Sequence, residues 1–214
     1  MNKGIPVSGW IIAQDEQSYI AKAIKNLLPN VSEIIVVDGG SKDDTVKIAK
    51  DLGCKVFKNK FEFDFAKQRN FAMSKCSNEW TITLDADETF SKNFYNLLPT
   101  LIMNPPGDAG GFNVWRVSIF DGEEVGKEYQ PRVMNKNFCH WNGKIHEQLL
   151  VKEKTLFNLP EEFNLFHKHS LNRQRWANAL YFNINNKIKK RPKDTDGMES
   201  HDEKWVEVKT ERNG

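Results

Sequence analysis

Apolar positions in the first half of the chain fall into two alternating kinds of run. Residues 7–13 are apolar and end at polar Gln14-Asp15-Glu16, which predicts a buried strand. Ile20, Ala23, Ile24, Leu27 and Leu28 then recur at helical spacing, and Pro29-Asn30 stops that helix. Glu33-Ile34-Ile35-Val36-Val37-Asp38 reads as a second buried strand. Gly39-Gly40 supplies a tight turn, and Ser41 with Asp44 three residues on predicts a capping box. Val46, Ile48, Ala49 and Leu52 mark the next helix, which Gly53 ends. Lys55-Val56-Phe57 is a short third strand, 65–75 a third helix, and Trp80-Thr81-Ile82-Thr83-Leu84 a fourth strand. Such alternation predicts an α/β fold on a parallel sheet, with ligands at the carboxyl ends of the strands.

After Asn104-Pro105-Pro106-Gly107 the pattern changes. Residues 110–120 and 128–134 read as longer strands, and strict alternation ends. Ala177, Leu180, Tyr181, Ile184 and Ile188 form one helical stripe within 172–190. Past Arg191-Pro192 the chain is polar and charged, which predicts a poorly ordered tail.

Composition narrows the class without choosing a function. The 214 residues suit one large domain with a real core. A hydrophobic share of 39% beside 28% charged residues fits an ordinary soluble protein, and a net charge of +2 is no argument for nucleic acid. No run approaches a membrane span and Met1-Asn2-Lys3-Gly4 opens no signal peptide, so a cytoplasmic location is expected. Cys54, Cys76 and Cys139 form no CxxC and cannot all pair. They read as reduced thiols packed as small hydrophobes.

Acidic residues supply the candidate chemistry. Asp15-Glu16, Asp38 and Asp85-Asp87-Glu88 all fall at predicted strand ends. Side chains alternate along an extended chain, so Asp85 and Asp87 are expected to point the same way. Two convergent carboxylates repel each other unless a cation lies between them, and an all-oxygen set suits Mg²⁺ or Mn²⁺ with phosphate completing the shell. The competing reading is a solvated acidic turn.

Together these segments resemble family-2 glycosyltransferases. Ile34-Ile35-Val36-Val37-Asp38-Gly39-Gly40-Ser41-Lys42-Asp43-Asp44-Thr45 resembles that family's nucleotide-binding motif. Phe63-Asp64-Phe65-Ala66-Lys67-Gln68-Arg69-Asn70 resembles its "dFa-x-qRN" segment, and Leu84-Asp85-Ala86-Asp87-Glu88 its metal-binding triplet. Gly143-Lys144-Ile145-His146-Glu147 is similar to the "G-x-IHE" element of small bacterial members, lipopolysaccharide core glucosyltransferases among them. One departure stands out. The first strand of the family usually ends in a Thr-x-Asn-Glu type sequence, and here it ends in Ala13-Gln14-Asp15-Glu16.

The resemblance implies a GT-A-type fold: a Rossmann-like mixed sheet flanked by helices, with a C-terminal helix. A single glycosyltransferase domain would span 1–170, with 1–103 the nucleotide-sugar half and 104–170 the acceptor half. Residues 171–214 would be a helix and polar tail. The implied activity is inverting, metal-dependent transfer of a sugar, a UDP-hexose first, to an acceptor hydroxyl. Glu16, Asp38, Gly40, Arg69 and Asp85 are then assigned to the donor, Asp38 by bonds from base or ribose. Asp85 and Asp87 are assigned to Mn²⁺ or Mg²⁺, with His167 completing the shell and His169 its competitor. Glu147 is assigned as the catalytic base, with Asp121 as the other carboxylate considered. Arg69 has a second reading, a salt bridge to Asp64 or Glu62. His167 and His169 also allow a zinc pair, although no Cys cluster supports a closed site.

Trp115 and Trp141 lie where an acceptor ring would stack, and core packing is expected more for Trp115 than for Trp141. The acceptor is expected to be a surface glycan. Lys187, Lys189, Lys190, Arg191 and Lys193 offer a short basic patch for peripheral membrane contact. With Arg173 and Arg175 the same charges suit DNA carrying a hydroxylated base, the alternative acceptor. A non-catalytic nucleotide- or carbohydrate-binding protein on the same fold is the other alternative.

Overall fold

The structure is a computed structural model that describes residues 5–192. Met1 to Gly4, Lys193 and the polar tail beyond it lie outside the described residues. The elements run β1 (Val7–Ala13), α1 (Ile20–Leu27), β2 (Glu33–Asp38), α2 (Thr45–Asp51), β3 (Lys55–Lys58) and α3 (Phe65–Lys75). They continue with β4 (Trp80–Thr83), β5 (Glu88–Phe90), α4 (Lys92–Met103), β6 (Ala109–Phe120), β7 (Glu123–Asn135) and β8 (Cys139–Asn142). β9 (Gln148–Val151), β10 (Thr155–Asn158), β11 (Asn164–His169) and α5 (Leu171–Asn185) complete the described chain.

One mixed sheet carries the strand order β3-β2-β1-β4-β7-β6-β11-β5, with β10 alongside β6. β1, β2, β3 and β4 pair in parallel. β7 then runs antiparallel to both β4 and β6. The chain leaves β1 toward β2 and β3, then crosses back to lay β4 on the other side of β1. That reversal opens a crevice at the carboxyl ends of β1 and β4, where open α/β sheets bind their ligands.

Alternation along the strands divides the core in two. Val7, Ile11, Ile34 and Val36 pack on one face with α1 residues Ile20, Ala23, Ile24 and Leu27, each fully buried or nearly so. Trp10, Ile35 and Val37 face the other way, onto Ala66, Ala72 and Met73 of α3 and onto Trp141 and Leu149. Burying an Ile or Leu of this kind contributes roughly 1.5–3 kcal/mol before entropy is charged. Both faces are therefore covered, and the central strands read as continuous apolar runs. Asp64 caps α3 by accepting from the Lys67 amide at 2.9 Å.

Two local expectations are corrected, and one further helix is found. Ser41 and Asp44 form no capping box: α2 starts at Thr45 with no side-chain cap from Asp44, and the Ser41 hydroxyl accepts from the Asp15 amide instead. The predicted helix at 172–190 ends at Asn185, so Ile188 lies outside it and is exposed, while Leu180 and Ile184 are buried. α4 was not anticipated, because Pro99 lies inside it. Ser91 caps α4, and Phe94, Leu98, Leu101 and Ile102 bury one face.

The chain separates into two compact units, one ending at Lys168 and the other beginning at His169. Among the described residues no helix is long and apolar enough to cross a membrane.

Candidate active site

The loops after β1 and β2 are bound to each other as well as to the helices that follow them. Asp15 Oδ1 accepts from the Lys42 amide at 2.7 Å, and the Asp15 amide donates to Ser41 Oγ at 2.9 Å. The Glu16 amide donates to Thr45 Oγ1 at 2.7 Å, and Gln17 exchanges bonds with Asp43 and Asp44. Asp38 is 3% exposed, and its Oδ1 accepts from the Ser41 amide at 2.9 Å. Gly40 holds φ +110°, a backbone conformation a side chain would strain. Gln14 donates to the Gly40 carbonyl at 3.4 Å. The altered first-strand sequence thus serves as the strut between two strand-end loops. Glu16, Asp38 and Gly40 all fall on this edge of the sheet.

Asp85 and Asp87 do not occupy an extended strand. β4 stops at Thr83, and residues 85–88 form a turn closed by the Glu88 amide donating to the Asp85 carbonyl at 3.0 Å. The alternation argument therefore fails here, and the two carboxylates take different partners. Asp85 Oδ1 accepts from Arg69 Nη2, and Oδ2 from Arg132 Nη2, each at 3.0 Å. Asp87 Oδ2 lies 3.5 Å from His167 Nε2 on β11. Burial works to raise the Asp85 carboxyl, but the Arg69 and Arg132 guanidiniums outweigh it and hold it at about 2. Asp87 opposes them, so the carboxylates still feel each other.

Arg69 is the hub of the site. It is 7% exposed, and its Nε donates to Glu147 Oε1 at 2.5 Å while Nη2 reaches Asp85. Its guanidinium lies 5.1 Å from the Trp141 ring centroid and 6.0 Å from that of Trp10. Burial opposes its charge, yet the two carboxylates outweigh burial and raise its pKa further. The proposed salt bridge to Asp64 or Glu62 is not formed. Asp64 caps α3 and Glu62 pairs with Lys67 at 3.5 Å. Glu147 sits at the end of the β8–β9 connection, a turn that needs Gly143 at φ +99° and His146 at φ +49°. The β8–β9 hairpin is held to α3 by Asn70, which bonds both the amide and the carbonyl of Trp141, at 2.9 and 2.8 Å.

Trp141 reverses the expectation for the two tryptophans. It is 2% exposed in the core against Arg69, whereas Trp115 is half-buried and meets Tyr129 edge-on. Asp121 is exposed in the turn between β6 and β7 with φ +50°. His167 Nδ1 lies 3.4 Å from Ser118 Oγ, and its ring meets Phe120 edge-on. His169 ends β11, is buried, and turns Nδ1 to the Ser170 carbonyl at 2.8 Å.

Sequence reasoning missed Arg132 and the partner it selects. Arg132 is 1% exposed and Glu88 fully buried; Nε and Nη2 of the arginine meet both oxygens of the glutamate, at 2.9 and 2.7 Å. Arg116 adds a third guanidinium, 3.6 Å from Glu88 and paired with Glu128. The available signal was a charge next to the apolar pair Val133-Met134 in a predicted strand, since a buried charge must find an opposite one.

Comparison with known proteins bears on the family and the fold. An uncharacterized glycosyltransferase of Rickettsia conorii is 42% identical over 171 residues, covering 76% of this chain and 60% of the relative. The lipopolysaccharide core biosynthesis glycosyltransferase LpsC of Rhizobium meliloti is 32% identical over 118 residues, covering 53% and 42%. The chain spans only 55–60% of the length of its Rickettsia relatives from R. typhi, R. prowazekii, R. felis and R. conorii. Among solved structures, a mannosyltransferase from Pyrobaculum calidifontis in complex with GDP-Man and Mn²⁺ aligns with a TM-score of 0.53 at 14% identity. The alignment covers 89% of this chain and 67% of that one. S. aureus TarS in complex with UDP aligns with a TM-score of 0.52 at 13% identity, covering 81% and 63%. The fold is of the GT-A type. The model of glycosyl transferase family 2 matches residues 10–175, and the chain belongs to that family.

Proposed function

We propose that this chain carries the donor site and catalytic base of an inverting glycosyltransferase that uses a nucleotide-sugar, a UDP-hexose first. The observation that carries the reading is the Asp85–Arg69–Glu147 chain of contacts at 3.0 and 2.5 Å. One buried guanidinium ties the turn after β4 to the carboxylate assigned as base. A merely solvated acidic turn would have no reason to be tied in this way.

Glu16, Asp38 and Gly40 hold the nucleoside at the edge of β1 and β2, with the Asp38 carboxylate accepting from base or ribose. Asp87 and His167 fit a divalent cation, because a carboxylate oxygen and an imidazole nitrogen converge at 3.5 Å, beyond a good direct hydrogen bond. The second nitrogen of His167 lies 3.4 Å from Ser118 Oγ, on the side away from Asp87. The Asp85 oxygens are taken by arginines, so its part is the weaker one in holding the ion. When bound, Mn²⁺ or Mg²⁺ neutralises charge on the departing diphosphate. The Mn²⁺ of the mannosyltransferase complex supports this choice of ion.

The acceptor hydroxyl loses its proton to Glu147 as its oxygen bonds to the anomeric carbon. The bond from that carbon to the diphosphate breaks, and its electron pair leaves with the nucleoside diphosphate. One displacement inverts the anomeric centre. Arg69 keeps Glu147 in place, and its Nη1 is buried without a hydrogen-bond partner among the described residues. A donor oxygen would satisfy it. The acceptor proposed is a hydroxyl of a surface glycan, which the name of the LpsC relative supports.

Calorimetry with UDP tests the donor site. UDP should bind in Mn²⁺ and lose affinity in chelator, and Asp87→Asn should bind alike in both. Equal affinity of the unaltered chain with and without metal would reject the assignment.

A further inference from the structure

We infer that Glu88 and Arg132 are positioning residues that fix the Asp85–Asp87 turn before any ligand arrives. The inference rests on the metal reading of Asp87 and His167 and extends it to a buried pair that touches neither donor nor acceptor.

Backbone bonds close the turn, from the Glu88 amide to the Asp85 carbonyl and from the Lys168 amide to the Asp87 carbonyl, each at 3.0 Å, and side chains add to them. β5 is three residues long and, among the described residues, pairs antiparallel with β11 at one edge of the sheet. Glu88, at its first position, reaches back: Oε2 accepts from the Asp85 amide at 3.0 Å and from Arg132 Nε at 2.9 Å. Arg132 comes from β7, whose register with β4 pairs Ile82 with Val133. Continuing that register sets Arg132 opposite Thr83, where β4 ends, so its side chain extends over the turn. Arg132 Nη2 bridges Glu88 Oε1 at 2.7 Å and Asp85 Oδ2 at 3.0 Å. Its Nη1 donates to the Pro131 carbonyl at 3.1 Å. Asp85 is therefore gripped at its amide by Glu88 and at its carboxylate by Arg132. Asp87, two residues on, is held facing His167.

Energetics argue for position over stability. A buried ion pair often stabilises no more than an apolar pair of the same volume, because desolvation cancels the attraction. Its better-attested use is to choose one arrangement among several. The pair also settles the local charge. Arg69 and Arg132 answer Asp85, Glu88 and Glu147, and Asp87 Oδ2 lies 3.5 Å from His167 Nε2. Supporting residues of this kind typically alter metal affinity by about 10–100-fold.

Arg132→Lys tests the inference, since it keeps the charge and loses the fork. Mn²⁺ binding is read by electron paramagnetic resonance in the presence of UDP, normalised to folded protein by circular dichroism. Affinity should fall about 10–100-fold, with UDP affinity in chelator unchanged. Unchanged Mn²⁺ affinity in folded Arg132→Lys would overturn it and reduce the pair to a stabilising contact. Asp87→Asn separates the two claims: if that variant binds Mn²⁺ normally, the metal reading itself fails. A second measurement needs no variant. The Asp85 amide of the unaltered chain should exchange slowly with and without Mn²⁺ and UDP. An amide that exchanges fast and slows only on adding them would show a turn ordered by ligand, against the inference.

Discussion

Arg69 and Glu147 are 78 positions apart in sequence and meet at 2.5 Å. The contact joins the first half of the chain, with its parallel strands, to the β8–β9 hairpin. Because Arg69 also holds Asp85, removing it leaves two carboxylates facing each other in a buried site. Arg69→Met should destabilise the fold by about 3–5 kcal/mol, the usual cost of stranding a buried charge. Urea denaturation measures it, and a change below about 1 kcal/mol would mean that solvent already screens the pair.

A second network predicts a pH dependence. Glu33 Oε1 accepts from Ser8 and from the amide and hydroxyl of Ser77, each at 2.6 Å, and Oε2 from Lys55 at 2.7 Å. Burial pushes its carboxyl up, but these donors outweigh burial and bring it from 4.5 to about 2. The folded value lies below the unfolded one, so the stabilisation is complete above pH 4.5 and is lost as pH falls through about 2. Glu33→Gln should therefore melt lower than the unaltered chain at pH 7. The gap should narrow below pH 4.5 and close near pH 2. A gap independent of pH would assign the effect to packing.

Much of this was legible in the sequence. β1, β2, β4 and α3 could be read because apolar runs there are bounded by Gly, Pro or acidic punctuation. Of the motif residues, Asp85 and Glu147 meet at the Arg69 guanidinium, Asp38 ends β2, and Asp87 faces His167. What could not be read is pairing across the sheet. Neither Arg132's choice of Glu88 nor Arg69's choice of Glu147 over Asp64 follows from local spacing. Trp141 misled because its sequence neighbours are polar. Alternation in β8 puts His140 and Asn142 outward and buries the ring between them.

The nucleotide edge gives a third prediction. Asp38→Ala should weaken UDP binding by about 1.5–3 kcal/mol, the value of a hydrogen bond to a charged group. Part of that loss is indirect, because Asp38 Oδ1 also holds the Ser41 amide at the start of the loop. Asp38→Asn keeps an acceptor for that amide and should lose less. Calorimetry that finds equal UDP affinity in all three proteins would take Asp38 out of the site.

The central claim is that this site displaces a nucleoside diphosphate once, with Glu147 taking the proton. Hydrolysis of UDP-α-glucose, with water as acceptor, tests it without knowledge of the natural acceptor. Proton NMR in Mn²⁺ should show β-glucose appearing before mutarotation. The reaction should stop in chelator and in Asp87→Asn, and slow about 10²–10⁴-fold in Glu147→Gln. Initial release of α-glucose, or turnover in Glu147→Gln equal to that of the unaltered chain, would contradict the account.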